Sequence, residues 1–423
     1  MLNKCWIRNF FIHMFSSLSQ YSLTGLPVLI GLCLIFTFTS FSQTDSVYSI
    51  NEEWVGTWST APQLVEPRNN PPSPGLSHNS LRQVVHVSLG GDSLRVRFSN
   101  EFSSSSVTMN AVNIAVSEDS SVIDPGTEQI LKFSGKPEVT ILPGSAIISD
   151  PFRFKLKPLS NVTITIYFGD TSPDVTGHPG SRTTSYILPG DKVAATDFRG
   201  AIKIDHWYII RGIDVMAPKT AAAVAVLGNS ITDGRGSGTN KQNRWPDELA
   251  RRLQENPETR EVAVLNEGIG GNCVLRACLG PSALSRFDRD VINQSLIILE
   301  GINDIGQVHT AEAAEKVAGD LIEAYKNMIE KAHANDILVY GATLMPFGGS
   351  FYDNPYSEEA WKKVNQWIRS SGKFDAVIDL DKALRDPANP LHMLPDADSG
   401  DHLHPSEKGH RMMAEAVDLT LFK

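Results

Sequence analysis

Four short segments hold the residue types that acyl transfer needs. Gly228-Asn229-Ser230-Ile231-Thr232-Asp233-Gly234 carries a serine hydroxyl, and Asn266–Asn272 carries Gly268, Gly270 and Gly271. Glu300-Gly301-Ile302-Asn303-Asp304 carries a carboxamide, and Asp401-His402-Leu403-His404 carries a carboxylate and two imidazoles. A serine hydroxyl is a weak nucleophile until an adjacent base takes its proton. In these segments only His402 and His404 titrate near neutrality. Asp401, three residues before His404, can accept the other ring N–H and hold one tautomer. A tetrahedral intermediate needs donors aimed at its oxyanion, and the backbone N–H groups of Ser230 and Gly271 with the Asn303 side chain can supply them. The loop offers Gly270 as well as Gly271, and Gly271 is the expected donor. His404 as base predicts activity that rises with pH through about 6.5.

The surrounding pattern explains how these segments could meet. From about Thr220 onward, short apolar runs (222–227, 262–265, 296–299, 337–343 and 376–380) alternate with helical spacing over 311–333, 357–369 and 406–421. Buried strands alternating with amphipathic helices predict a parallel sheet covered on both faces. In such a sheet, ligands bind beyond the carboxyl ends of the strands, where three of the four segments fall. Residues 54–210 differ: Leu94, Val96 and Phe98 alternate with Arg95 and Arg97, and Phe152, Phe154 and Leu156 alternate with Arg153 and Lys155. This period of two, broken by turns such as Gly90-Gly91-Asp92, predicts an antiparallel β-sandwich-like domain. The expected division is therefore an export signal over 1–42, a β-rich part over 43–215 and an α/β part over 216–423.

The four segments resemble the four blocks of the SGNH (GDSL-type) hydrolase superfamily. The resemblance implies a flavodoxin-like three-layer α/β domain, with Ser230 as nucleophile, Gly271 and Asn303 at the oxyanion hole, and Asp401 with His404 completing the catalytic set. Asn229 stands where that family usually has Asp. Asn243-Arg244-Trp245-Pro246, Gly280–Asp288 and Tyr340–Pro346 are similar to a subgroup of secreted XynE-type acylhydrolases. That similarity implies arylesterase or carbohydrate acetylesterase activity on short acyl esters, without cofactor or metal. Arg244 and Arg286 are candidates to touch substrate oxygens, with structural ion pairs as the competing role.

Composition narrows the partners. The net charge is −10, which argues against nucleic acid or an anionic membrane as a main partner, since both demand clustered Lys and Arg. Lys4 and Arg8 precede an apolar stretch from about Leu23 to Phe41, followed by Ser40-Phe41-Ser42, which reads as a cleaved signal; an uncleaved anchor is the alternative. Cys273 and Cys278 could close a small loop, although spacing alone does not show it. Other readings compete. A phosphate loop at Gly234–Gly238 lacks the following Gly-Lys-Ser/Thr. A metal site at Asp396, Asp398, Asp401, His402 and His404 lacks a second ligand cluster. A lipase or phospholipase would want a long apolar flap, which is absent from the second half. A non-catalytic glycan-binding protein would have lost block residues. Trp54, Trp58, Trp361 and Trp367 are expected to pack in the core or at an interface.

Overall fold

The computed structural model describes residues 51–291 and 295–423; the expected export signal lies outside them. Two antiparallel sheets come first. One runs Glu52–Ser59, Ile210–Pro218, Gly91–Asn100, Phe152–Leu156, and the other has Asn79–His86, Asn161–Phe168 and Val107–Asp119 at its centre. Alternation sorts their side chains. Leu94, Val96 and Phe98 of one sheet and Val85, Ile114 and Ile164 of the other share a core, while Arg95 and Arg97 point out to pair with Asp214. The β-sandwich-like expectation is met. The expected division after residue 215 falls inside Ile210–Pro218, so the antiparallel part continues to Pro218.

The parallel sheet follows: β1 (Ala222–Gly228), β2 (Val262–Gly268), β3 (Ser295–Leu299), β4 (Val339–Ala342) and β5 (Ala376–Ile378), in the order β2-β1-β3-β4-β5. The order reverses beside β1, which puts a crevice at its carboxyl end. The helices are α1 (Ser230–Asp233), α2 (Trp245–Glu255), α3 (Ala283–Asp290), α4 (Ile302–Ile305), α5 (Ala311–His333), α6 (Pro355–Ser370), α7 (Leu380–Leu384) and α8 (Glu407–Glu415). The long α5 matches its predicted span. The periodicity read over 406–421 overran: α8 stops at Glu415, and Asp418 caps a separate short turn by accepting the Thr420 N–H. Five helices, α1, α2, α3, α4 and α7, escaped the periodicity reading because they are short, and α2 and α3 are also highly charged.

The described residues form one compact unit. The reason is visible in β1 and β2. Val224 and Val226 join the helix-side core, whereas the alternate residues Ala223 and Ala225, with Ala263 and Leu265 of β2, join the core of the antiparallel sheets. Small side chains let the strand Glu52–Ser59 lie close: a Cβ on Gly56 would stand 2.9 Å from Leu265. Polar links cross the same seam. The Ser88 hydroxyl accepts the Val264 N–H at 3.1 Å, and the Ser59 hydroxyl donates to Glu267 at 2.5 Å. Trp58 packs edge-on against Trp207 with ring centres 5.1 Å apart, a core role.

Candidate active site

Ser230 sits at the first position of α1, directly beyond β1. The Asn229 side chain caps this turn by accepting the Ile231 N–H at 3.0 Å, and its amide donates to the buried Glu300 at 2.6 Å. Burial pushes the Glu300 carboxyl well above its ordinary range, so an amide rather than a second carboxylate suits this position. Gly228 makes the sharp entry possible: a Cβ there would stand 2.2 Å from the Thr232 hydroxyl.

His404 comes from the loop before α8. The Asp401 carboxylate accepts the backbone N–H of Leu403 at 3.1 Å and of His404 at 2.9 Å, and takes the His404 Nδ1–H at 2.7 Å. His404 Nε2 then lies 2.8 Å from Ser230 Oγ. One carboxylate thus shapes the turn and selects the tautomer that leaves Nε2 free to accept. Burial lowers the His404 pKa, the Asp401 hydrogen bond and charge raise it, and the nearby charges of Arg235 and Arg182 lower it, with a net downward shift. Partial burial raises the Asp401 carboxyl, but the hydrogen bonds and charge from His404 outweigh it and bring it to about 2. At neutral pH the pair is an imidazole beside a carboxylate.

The third and fourth segments close the opposite side. Asn303 Nδ2 donates to the Asn272 carbonyl at 2.6 Å, and its Oδ1 accepts from the Tyr352 hydroxyl at 3.0 Å. These partners orient the carboxamide and leave Nδ2 a second N–H. Gly271 has φ 71°, a left-handed conformation that favours glycine and turns the loop around the site. Asp304 holds the same loop by accepting the N–H groups of Val274 and Leu275, and Cys273 is disulfide-bonded to Cys278. Ser230, Gly270, Gly271, Asn303 and His404 all line one open cavity of about 400 Å³. The antiparallel part supplies another wall, including Gln63, Asn69 and Arg182.

The two arginines proposed from sequence do other work. The Arg286 side chain is fully buried; it donates to the carbonyls of Gly228 and Glu267, to Asn272 Oδ1 and to Asp290. It has no surface to offer a substrate and instead ties the ends of β1 and β2 to the glycine loop. Arg244 is likewise buried, stacked over Trp207, paired with Asp247 and donating to the Ser181 carbonyl. His402 is half-exposed and pairs with Asp398, away from the hydrogen-bond chain.

Sequence reasoning missed three supporting residues. His410, at the 7th position after Leu403, accepts the Trp245 N–H on Nδ1 and donates from Nε2 to the Arg235 carbonyl, both at 3.1 Å. Its burial takes it down to about 4, so it stays neutral. His178, from the strand Thr176–His178, bonds Asp233 of α1 at 2.8 Å. Tyr352, which orients Asn303, sits in a loop without periodic signal. A histidine inside an amphipathic helix was the one available hint.

The model of the GDSL-like lipase/acylhydrolase family matches residues 226–412. Among solved structures, the chain is 26% identical to one from Desulfitobacterium hafniense described as a G-D-S-L family lipolytic protein, covering 46% of this chain and 97% of that one, with a TM-score of 0.36. A GDSL-like lipase from Bacteroides thetaiotaomicron is 20% identical over 47% of this chain and 87% of its own, with a TM-score of 0.34. An acetyl xylan esterase is 21% identical over 46% and 96%, with a TM-score of 0.35. No curated protein matches the chain. The family match spans all four segments in order, three of them at strand ends and the fourth before α8, so residues 226–412 are similar to the GDSL-like lipase/acylhydrolase family.

Proposed function

We propose that this protein is an exported serine esterase that hydrolyses short acyl esters, acetyl above all, on carbohydrate. The observation that carries the reading is the continuous hydrogen-bond chain from Ser230 through His404 to Asp401 beside the Asn303 amide. Ser230 Oγ attacks the ester carbonyl carbon while its proton passes to His404 Nε2, and the carbonyl π electrons move to the oxygen. The N–H groups of Ser230 and Gly271 with Asn303 Nδ2 stabilise that oxyanion. Collapse breaks the bond to the alcohol oxygen, which takes the proton from His404, leaving an acyl-serine. Water, deprotonated by the same imidazole, attacks the acyl carbon; the bond to Ser230 breaks and the serine regains its proton. The carboxylate is released.

Several features support the finer points. The wall of Gln63, Asn69 and Arg182 is polar, which suits a carbohydrate alcohol better than a lipid. Phe351, three-quarters exposed at the mouth, offers an aromatic face for a sugar ring. Export rests on residues 1–42 and on the resemblance to secreted acylhydrolases. Among the described residues no helix is long and apolar enough to cross a membrane.

The test compares wild type with Ser230→Ala on p-nitrophenyl acetate and acetylated xylan, with acetate release measured. Hydrolysis that Ser230→Ala abolishes is the expected result. Equal activity in the two proteins would overturn the serine mechanism.

A further inference from the structure

The cavity beside Ser230 holds more positive charge than its own acids neutralise. Arg68, Arg182 and Arg235 line it against two carboxylates, Glu66 and Asp233. Asp233 is already engaged by His178 at 2.8 Å, and Glu66 accepts from Gln63 and Asn69. Arg182 approaches Asp233 only at 4.0 Å, and its Nε is buried with no partner among the described residues. Arg68 and Arg235 form no ion pair among the described residues, and Arg235 is exposed.

Arg182 is also held in place at a conformational cost. Its φ is 50°, a left-handed conformation unfavourable for a residue with a Cβ. The turn persists because its neighbours over-determine it: Arg244 donates to the Ser181 carbonyl and to Thr183, and the Asn240 N–H donates to the Arg182 carbonyl. On the other side, Arg235 belongs to the turn that His410 grips. Each part of the molecule thus contributes an arginine with its backbone held in place, Arg182 from one and Arg235 from the other, to the same cavity.

Their position fits one ligand chemistry. The two charges act on His404 and oppose formation of its imidazolium, the state required when Ser230 attacks. A neutral substrate leaves that penalty in place; an anion bound in the cavity that both guanidinium groups line offsets it. His404 hands its proton to the departing alcohol oxygen, and Arg182 and Arg235 line the same cavity as His404 and Ser230, which puts them within reach of the alcohol portion of the ester. We propose that Arg182 and Arg235, with Arg68 at the rim, form a subsite for a carboxylate on the alcohol portion, so that the preferred substrate is an O-acylated acidic sugar. The inference rests on the esterase reading and deepens it.

The experiment compares kcat/KM for acetate release from the monoacetate of methyl glucuronoside and from the same monoacetate of methyl glucoside, at low salt. A charge-assisted contact predicts a preference of about 10-fold or more for the acidic ester. The preference should fall towards unity in Arg182→Gln/Arg235→Gln and weaken with added salt. Because Arg235 is exposed, Arg235→Gln alone, with a partial loss, carries the test should the double variant not fold. Equal wild-type kcat/KM for the two esters, both abolished by Ser230→Ala, would overturn the carboxylate subsite and leave the esterase standing. Acidic preference that persists with activity surviving Ser230→Ala would support the subsite and overturn the serine mechanism instead.

Discussion

At the scale of single residues, the proposed base is set by opposing influences. Burial and two guanidinium groups depress the His404 pKa, and Asp401 restores only part of the loss. The base works unprotonated, so activity should be low below its pKa, rise as pH increases through it, and then level off. The kcat/KM profile of the free enzyme is expected to rise with a midpoint below the ordinary imidazole value of about 6.5 that the bare residue type suggests. A midpoint above that value, or a flat profile from acid to neutral pH, would contradict His404 as base.

At the scale of elements, the strand ends are locked together by Arg286. Its guanidinium joins the carbonyls of Gly228 in β1 and Glu267 in β2 to Asn272, whose carbonyl in turn orients Asn303. Arg286→Met would leave Asp290 with a weakened counter-charge and the two strand-end carbonyls without this donor. Removing one partner of a buried pair typically costs about 3–5 kcal/mol, lessened here because Arg289 also binds Asp290. Urea denaturation should show the loss, with kcat falling more than KM changes. A stable variant with only a raised KM would instead make Arg286 a substrate ligand.

At the scale of the whole molecule, the antiparallel and parallel parts meet over a seam that contains a buried acid. Burial and the neighbouring Asp290 charge raise the Glu267 pKa to about 7, while Ser59 donates to its carboxyl from across the seam. A carboxyl with a folded pKa above its unfolded value of about 4.5 binds more protons folded than unfolded between the two. Its contribution therefore worsens as pH rises from about 4.5 to about 7. Glu267→Gln, which keeps an acceptor for Ser59, should be more favourable to stability at pH 8 than at pH 5, by at most about 3 kcal/mol. Thermal unfolding at the two pH values measures this; an effect larger at pH 5 would reverse the assignment.

The sequence by itself determined what is local or periodic. Alternation with a period of two marked the antiparallel sheets, helical spacing marked α5 and α6, strand-end segments marked Ser230 and Asn303, and the segment before α8 marked Asp401 and His404. Such signals are legible because neighbours along the chain share one environment. Only the tertiary structure decided what distant residues do for one another. Arg244 and Arg286 read as candidates to touch substrate oxygens, with structural ion pairs as the competing role, until packing enclosed them. His178 and Tyr352 have no periodic or motif signal, and His410 offered only its place in an amphipathic helix, since their partners lie 55, 49 and 165 residues away. The short alanines of β1 looked like ordinary buried strand residues, yet they face the antiparallel core. Burial, and with it the charge state and partner of each polar group, is a property of the assembled three-dimensional environment, which spacing along the chain does not encode.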